Sequence, residues 1–129
     1  MRSTKAGAAI CLTIVALGAI TSMAGSGRAL AADAAHGKIV FQTCAACHSD
    51  KPDAIGPSLR GVYGRKSGSL DNFRYSNAMM RANLIWDDAN LRAYLKDPQA
   101  KVHGNRMPFA GLSNPQDIDD VIAYLKTYK

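Results

Sequence analysis

Cys44, Cys47 and His48 are the residues in this chain whose types and spacing most clearly point to chemistry, because they form the pattern C-x-x-C-H. Residues three and four positions apart share one face of a helix, so on a helix these three side chains would project together. Two such thiols can each form a thioether with a haem vinyl group, and the adjacent imidazole can then bind the iron. The pattern is the signature of haem c attachment. It predicts one covalent haem c, held through both cysteines.

Redox dithiols and zinc sites use the same residue types. A thioredoxin-like C-x-x-C is expected within a βαβ unit, and the sequence has no such pattern. A structural zinc ion needs four ligands. Once a leader is removed, the chain offers two cysteines and three histidines, with no second cysteine pair. Haem attachment is therefore the better interpretation of the motif.

The first 31 residues have the pattern of an export signal. Arg2 and Lys5 form a positive start, 8–19 is almost wholly apolar, and 29–31 has the small-x-small pattern of a cleavage site. An uncleaved membrane anchor is the alternative, but this apolar run is shorter than the ~20 residues that a spanning helix needs. We expect a cleaved signal peptide at 1–31, a periplasmic location, and no stable membrane insertion after cleavage.

Cleavage there leaves 32–129, which is 98 of the 129 residues and enough for one domain. A domain of this size buries limited surface by itself, so a haem would add a large apolar core element. The formal net charge of +6 falls because Arg2, Lys5 and Arg28 leave with the leader, so that 13 basic and 10 acidic residues remain. Nucleic-acid binding is therefore not expected.

Apolar periodicity and capping residues predict an all-α domain with long loops. The predicted helices lie at about 34–46, 77–82, 88–96 and 115–128, and the expected N-caps of the last three are Ser76, Asp87 and Asn114. In the first helix, Ile39, Val40 and Cys47 are expected to share an apolar face. The glycines between 56 and 68 indicate a loop region.

A haem bound through His48 leaves one axial position on the iron. The candidate ligands are Met107, His103, Met79, Met80 and His36. Met107 is the best placed, since it lies in the apolar, turn-rich stretch 105–111, far from the attachment motif. His103 would instead give a bis-histidine site. The two adjacent methionines fall in a short predicted helix, and His36 is expected on the solvent side of the first helix.

Beyond the attachment motif, the chain carries an ordered set of short segments. They are Gly37–Phe41, Ile55–Gly68 with Gly-Arg-Lys at 64–66, Phe73–Ser76, Ile85–Trp86, Leu91–Leu95, Met-Pro-Phe-Ala-Gly at 107–111, and Ile122–Lys126. This set resembles the class I c-type cytochromes, specifically the branch of mitochondrial cytochrome c and bacterial cytochrome c2. The resemblance covers 36–128. It implies the small all-α cytochrome c fold, with the first and last helices crossing at Gly37 and Tyr124.

The resemblance also implies roles for single residues. His48 and Met107 would hold the iron, and the Pro57 carbonyl would accept the second imidazole N–H. Tyr94 would lie near the Met107 sulfur. A further group of three would serve a haem propionate, with hydrogen bonds from Tyr75 and Trp86 and a compensating charge from Arg65.

The sequence departs from the mitochondrial pattern in three places. The loop from His48 to Pro57 is shorter, and His103 replaces a proline on the approach to Met107. The ring of lysines around the haem edge is thin, because its positions read Thr43, Gln99, Ala100, Ser113 and Asn114, with Lys101 and Arg106 nearby. Electrostatic steering towards an acidic partner should therefore be weaker.

The expected function is that of a soluble, monomeric, single-haem electron carrier. Redox partners would dock transiently at the haem edge. No bond is made or broken in such a reaction, so no catalytic residue is expected and the protein would not be an enzyme. Two alternatives stay open. The sixth ligand could leave, giving a peroxidase or gas binder, or the protein could be a bound subunit of a dehydrogenase or oxidase.

Overall fold

The structure, a computed structural model, describes residues 30–129. The predicted signal peptide at 1–31 lies almost wholly outside this range. Five helices follow one another in the order α1 (Ala34–Ala45), α2 (Asn77–Arg81), α3 (Asp88–Lys96), α4 (Pro98–Lys101) and α5 (Pro115–Thr127). Within 30–129, extended pairing is limited to a single bridge between Lys66 and Ile85. The all-α prediction is confirmed, and no helix in this range is both long and apolar enough to cross a membrane.

The predicted capping residues begin three of these helices. Ser76 accepts a hydrogen bond from the backbone N–H of Met79, Asp87 from that of Asn90, and Asn114 from that of Gln116. A side chain that accepts from the first turn satisfies a backbone donor that the helix leaves unpaired. The starts of these three helices were therefore predicted correctly, while α1, α2 and α5 each end one residue earlier than expected.

The short helix α4 was not predicted. Asp97 ends α3, and its side chain then accepts from the backbone N–H of Ala100 at 2.9 Å, so the same residue caps α4. Pro98 occupies the first position of α4, where its missing N–H costs nothing. The Asp-Pro pair was interpreted as a stop signal only, although it both ends one helix and begins the next.

α1 and α5 pack directly against each other at a glycine. Gly37 is buried, and a Cβ atom there would overlap the carbonyl oxygen of Asp120. The Phe41 ring, one turn further along α1, lies 5.0 Å from Tyr124 and 5.1 Å from Tyr128, measured between ring centroids. The absence of a side chain at position 37 therefore lets the two backbones approach closely.

The buried face of α1 differs from the prediction. Gly37 and Phe41 are buried, whereas Ile39 is 64% exposed and Val40 is half-buried. The sequence indicated apolar residues on α1, but the contact with α5 determines which of them face inward. Cys47, which was predicted to share this apolar face, lies beyond the end of the helix and is half-buried.

Asp120 connects the start of α1 to α5. Its carboxylate is buried, and Oδ1 accepts from the backbone N–H of Asp33 at 2.7 Å and from the Gln116 side chain at 2.8 Å. Nδ1 of His36 lies 2.8 Å from the other oxygen, Oδ2. His36 is exposed, as expected for the solvent side of α1, and its ring also contacts Asp120 on α5.

The buried apolar side chains form one cluster that extends from α1 to α5. Its members are Phe41, Val62, Met79, Trp86, Leu91, Tyr94, Leu95, Val102, Ile118, Val121, Ile122 and Leu125. Several of them also face a large internal cavity. The hydrophobic core of this domain therefore surrounds a cavity.

We expect the substitution Gly37→Ala to destabilise the protein by about 2 kcal/mol, because the added methyl group overlaps the backbone of α5. In a free helix the same change would stabilise by about 1 kcal/mol. Denaturant unfolding of the haem-loaded protein measures the difference. Lys38→Ala, at an exposed position of α1, is the control. An unchanged or raised stability of Gly37→Ala would contradict the close packing.

The buried Asp120 should make stability depend on pH. The backbone N–H of Asp33, with smaller contributions from the Gln116 and His36 side chains, holds the pKa of this carboxyl below its usual range. A lowered folded-state pKa favours the carboxylate, so its stabilisation is complete above pH about 4 and is lost as pH falls through the lowered pKa. Asp120→Asn should lower the Tm at pH 7, and this difference should shrink below pH 4. Asp71→Asn, at an exposed position, is the control.

Candidate functional site

All the residues predicted to form a site line one cavity of about 450 Å³ between α1, α3, α5 and the loops. They are Cys44, Cys47, His48, Pro57, Arg65, Tyr75, Trp86, Tyr94 and Met107. The rest of the lining is mostly apolar and includes members of the buried cluster. The fold thus brings residues as far apart in the sequence as Phe41 and Leu125 to one cavity.

The attachment motif lies at the end of α1. Cys44 is in its last turn, and the backbone N–H groups of Cys47 and His48 both donate to the Cys44 carbonyl oxygen, at 3.1 and 2.9 Å. Neither cysteine is in a disulfide, so both sulfurs are available for thioether bonds. Burial raises the pKa of the Cys44 thiol. The helical turn that the spacing predicted therefore places all three residues on the cavity wall.

The imidazole of His48 is buried, with a hydrogen bond to Pro57 and a close approach to Gly56. Its Nδ1 lies 2.7 Å from the Pro57 carbonyl oxygen and donates to it, so Nε2 is the nitrogen left for a metal. Burial lowers the pKa of His48, and the hydrogen bond to Pro57 offsets only part of this effect. A neutral ring is the form that binds metals. A Cβ on Gly56 would lie 2.6 Å from the ring, so Gly56 leaves the space that the imidazole needs.

Met107 lies on the segment that follows α4, which we call the strap (residues 102–111). Its backbone N–H donates to the side-chain oxygen of Asn105 at 2.8 Å. The hydroxyl of Tyr94 donates to the Met107 sulfur at 3.5 Å. Burial raises the pKa of Tyr94 to about 12, so the phenol stays protonated and remains a donor. The Trp86 ring supports Tyr94, with centroids 5.0 Å apart.

Arg65, Tyr75 and Trp86 lie on the same cavity wall. The Arg65 guanidinium donates to the backbone carbonyls of Ser58 and Arg60, both at 2.8 Å. Burial lowers the pKa of Arg65. Arg65 thus brings a partly buried positive charge to the cavity with no carboxylate among its partners in the described chain. That Tyr75 and Trp86 hydrogen-bond a haem propionate, with Arg65 balancing its charge, remains a prediction.

Comparison with known proteins identifies the family. The family model described as cytochrome c matches residues 34–129. The chain belongs to the cytochrome c family. Among its relatives, cytochrome c2 iso-2 of Magnetospirillum molischianum is 48% identical over 91 residues, which cover 69% of this chain and 94% of that protein. Cytochrome c2 of Blastochloris viridis is 43% identical over 103 residues, covering 78% of this chain and 81% of that protein.

A solved structure agrees with these relatives. Cytochrome cH from Methylobacterium extorquens superposes with a TM-score of 0.70 at 46% identity, covering 74% of this chain and 98% of that chain. The resemblance to the cytochrome c2 branch and the small all-α cytochrome c fold are therefore confirmed. As a cytochrome c, the protein is a single-haem electron-transfer protein.

The cavity fits the haem c that the family requires. Its volume lies in the range of about 300–1,000 Å³ that small-molecule and cofactor sites occupy. Two thiols, a free imidazole nitrogen and a thioether converge on it, which are the donors that covalent haem c uses. The protein carries one haem c attached through Cys44 and Cys47. Within residues 30–129 no cluster of three or more His, Cys, Asp or Glu side chains forms, so a zinc site has no support there.

The other candidates for the sixth ligand lie elsewhere, with one exception. His103 is exposed and does not line the haem cavity, and His36 pairs with α5. Met80 is 49% exposed, whereas Met79 is buried and does line the cavity. Of the two methionines on the wall, Met107 is the one whose sulfur accepts a hydrogen bond from Tyr94. The assignment of Met107 to the iron remains a prediction.

The sequence did not point to three residues that shape the cavity wall or hold its other residues in place but cannot themselves bind a metal or haem. Gly56 makes room for the His48 ring, and Asn105 holds the Met107 backbone. A Cβ on Gly111 would overlap the Lys96 carbonyl oxygen, so the strap can pass close to the end of α3 only with glycine there. The glycines were visible in the sequence as turn residues, but their partners were not.

His103 faces a second, open depression that we call the cationic hollow. It is lined by Arg74, Tyr75, Ser76, Asn77, Ala78, Arg81, His103, Gly104 and Arg106. Within the described part of the chain, no aspartate lines it and none of its arginines is in an ion pair. Arg74, Tyr75, Ser76 and Arg106 also line the haem cavity. A positive surface therefore adjoins the haem site.

We expect Gly56→Ala to disturb the proximal side of the haem. The new Cβ would lie 2.6 Å from the His48 ring, which the Pro57 carbonyl keeps from moving away. The protein should lose about 1–3 kcal/mol of stability and show an altered ferric haem spectrum. Gly64→Ala is the control, because a Cβ there meets nothing within 4 Å and only its positive φ is strained. Equal spectra for both variants would contradict the tight contact.

Proposed function

We propose that this cytochrome c is a soluble electron carrier in which His48 and Met107 close both axial positions of the iron. The observation that carries the proposal is the Met107 thioether, which lines the same cavity as His48 and is tied at its sulfur by Tyr94. Bound haem supplies a one-electron Fe(III)/Fe(II) couple. With both positions held by the protein, substrates have no access to the metal.

The residues around the cavity hold the two proposed ligands, His48 and Met107, in the same positions in the ferric and ferrous states. Pro57 fixes the plane and tautomer of the His48 ring, and Tyr94 and Asn105 fix the two ends of Met107. A thioether raises the reduction potential relative to a second imidazole. Ligation by Met107 rather than His103 would therefore give the haem a higher reduction potential. The apolar lining excludes water. None of these residues has to act as acid, base or nucleophile, so the function is electron transfer without catalysis.

The exposed surface beside the cavity suits a transient redox partner with an acidic docking face. The cationic hollow supplies Arg74, Arg81 and Arg106, and Ile55 on the cavity rim is 71% exposed. A small interface with an apolar contact and a few charges is typical of electron-transfer encounters. The partner would bind briefly to a monomer in the periplasm, reached through the signal peptide at 1–31.

The test is the response of the haem to carbon monoxide. The wild-type protein, expressed with haem c maturation machinery, should give a low-spin ferrous spectrum that carbon monoxide does not change, and a weak far-red sulfur-to-iron band when ferric. Ready carbon monoxide binding by the wild type would overturn the closed site. The gas-binding or peroxidase function would then replace electron transport.

The substitution Met107→Ala should open the site. We expect loss of the far-red band, a fall in reduction potential and rapid carbon monoxide binding, because the thioether that favours ferrous iron is gone. Met80→Leu at an exposed position and Met79→Leu in the core are the controls and should leave the band intact. If Met107→Ala leaves the ferric spectrum and the potential unchanged, the ligand assignment is wrong, and Met79, the other methionine on the cavity wall, becomes the next residue to test, followed by His103.

A further inference from the structure

Asn105 lies at the centre of a hydrogen-bonded network on the strap. Its side chain is 7% exposed, and its amide nitrogen donates to the carbonyl oxygens of Pro98 at 2.8 Å and Val102 at 2.9 Å. Its amide oxygen accepts from the backbone N–H of Met107 at 2.8 Å. Both N–H donors and the oxygen of the amide are thus engaged by the protein, which is what a buried amide requires.

These contacts connect Met107 to a rigid frame. Asp97 caps the N-terminus of α4 and also ends α3, so the two helices meet at one residue. α3 carries Tyr94, which reaches the Met107 sulfur, while the α4 segment presents the carbonyl oxygens that Asn105 binds. Met107 is therefore held at its backbone and at its sulfur from the same α3–α4 unit.

We propose that Asn105 is a positioning residue that keeps Met107 on the iron. This inference rests on the proposed function, in which Met107 is the sixth ligand. The Met107 N–H is partly buried and donates to the Asn105 oxygen, while the Asn105 amide nitrogen donates to the carbonyls of Pro98 and Val102. When the strap opens, that N–H can bond to water. Removal of the Asn105 oxygen therefore penalises the closed state and leaves the open state unchanged.

The expected size of the effect follows from the cost of an unpaired buried donor. That cost shifts an equilibrium by roughly tenfold. A loss of 1.4 kcal/mol corresponds to a factor of ten in an equilibrium constant. Asn105→Ala should therefore increase the population of the open strap by about tenfold. The closed form should still dominate in this variant, so the far-red band should persist until added imidazole removes it, at about a tenfold lower concentration than in wild type.

Binding of imidazole to the ferric haem protein measures the opening, because added imidazole can reach the iron only after the sixth ligand has left. We expect Asn105→Ala to bind imidazole about tenfold more tightly than wild type. Gln99→Ala is the matched control, since Gln99 donates to the Asn105 carbonyl and accepts from the Gly104 N–H but does not touch Met107. The control should stay within about twofold of wild type.

A conservative variant separates positioning from general stability. Asn105→Asp keeps an acceptor for the Met107 N–H and loses the donors to Pro98 and Val102, so it should bind imidazole more weakly than Asn105→Ala even if it is less stable to denaturant. The inference is wrong if Asn105→Ala lowers stability with no change in imidazole affinity. It is equally wrong if Gln99→Ala has the same effect as Asn105→Ala.

A measurement on the wild type covers the case in which the variants do not fold. Hydrogen exchange of the Met107 backbone amide in the haem-loaded protein should be slow, because Asn105 accepts its proton, and exchange at the rate of an exposed amide would overturn the inference. Failure of the proposed function looks different. If Met107 is not the ligand, the wild type lacks the far-red band, whereas failure of this inference leaves that band in the wild type and gives Asn105→Ala the same imidazole affinity as the wild type.

Discussion

The close approach of α1 and α5 at Gly37 is the constraint on which the site depends. With no side chain between the backbones, α1 takes one orientation against α5, and Asp120 fixes its start through the Asp33 N–H and the His36 ring. The last turn of that same helix carries the attachment motif. The direction in which the thiols and the imidazole of 44–48 project is therefore set by a contact at the other end of α1.

The rest of the cavity wall comes largely from α3, α5 and the strap. Leu91 and Leu95 on α3 and Val121 and Leu125 on α5 are buried core residues that also line the cavity. A domain of about 100 residues buries a smaller fraction of its surface than a larger protein does, so an unfilled apolar cavity at its centre would remove packing contacts on which its stability depends. Haem supplies the missing contacts, which makes the cofactor part of the hydrophobic core as well as the redox centre.

Local signals in the sequence predicted the helix starts well, because a cap depends on residues two or three positions away. Ser76, Asp87 and Asn114 show this. Features that depend on distant neighbours were missed: α1 turns Gly37 inward and Ile39 outward only because α5 lies against it. Likewise, the sequence predicted which residue types gather at the haem, but the close contact of Gly56 with His48 became visible only in the structure.

The proximal side of the haem and the proposed methionine side are held by different sets of contacts. His48 and its partner Pro57 are nine residues apart, within one segment that continues directly from α1. Met107 depends on Tyr94, thirteen residues earlier, and through Asn105 on the carbonyl of Pro98. His48 also follows directly after Cys47, one of the two cysteines that hold the haem covalently, whereas Met107 has no such tether to the haem. A partial opening that moves the strap away would therefore leave the proximal side in place, so substitutions on the methionine side are the ones expected to adjust this cytochrome's properties.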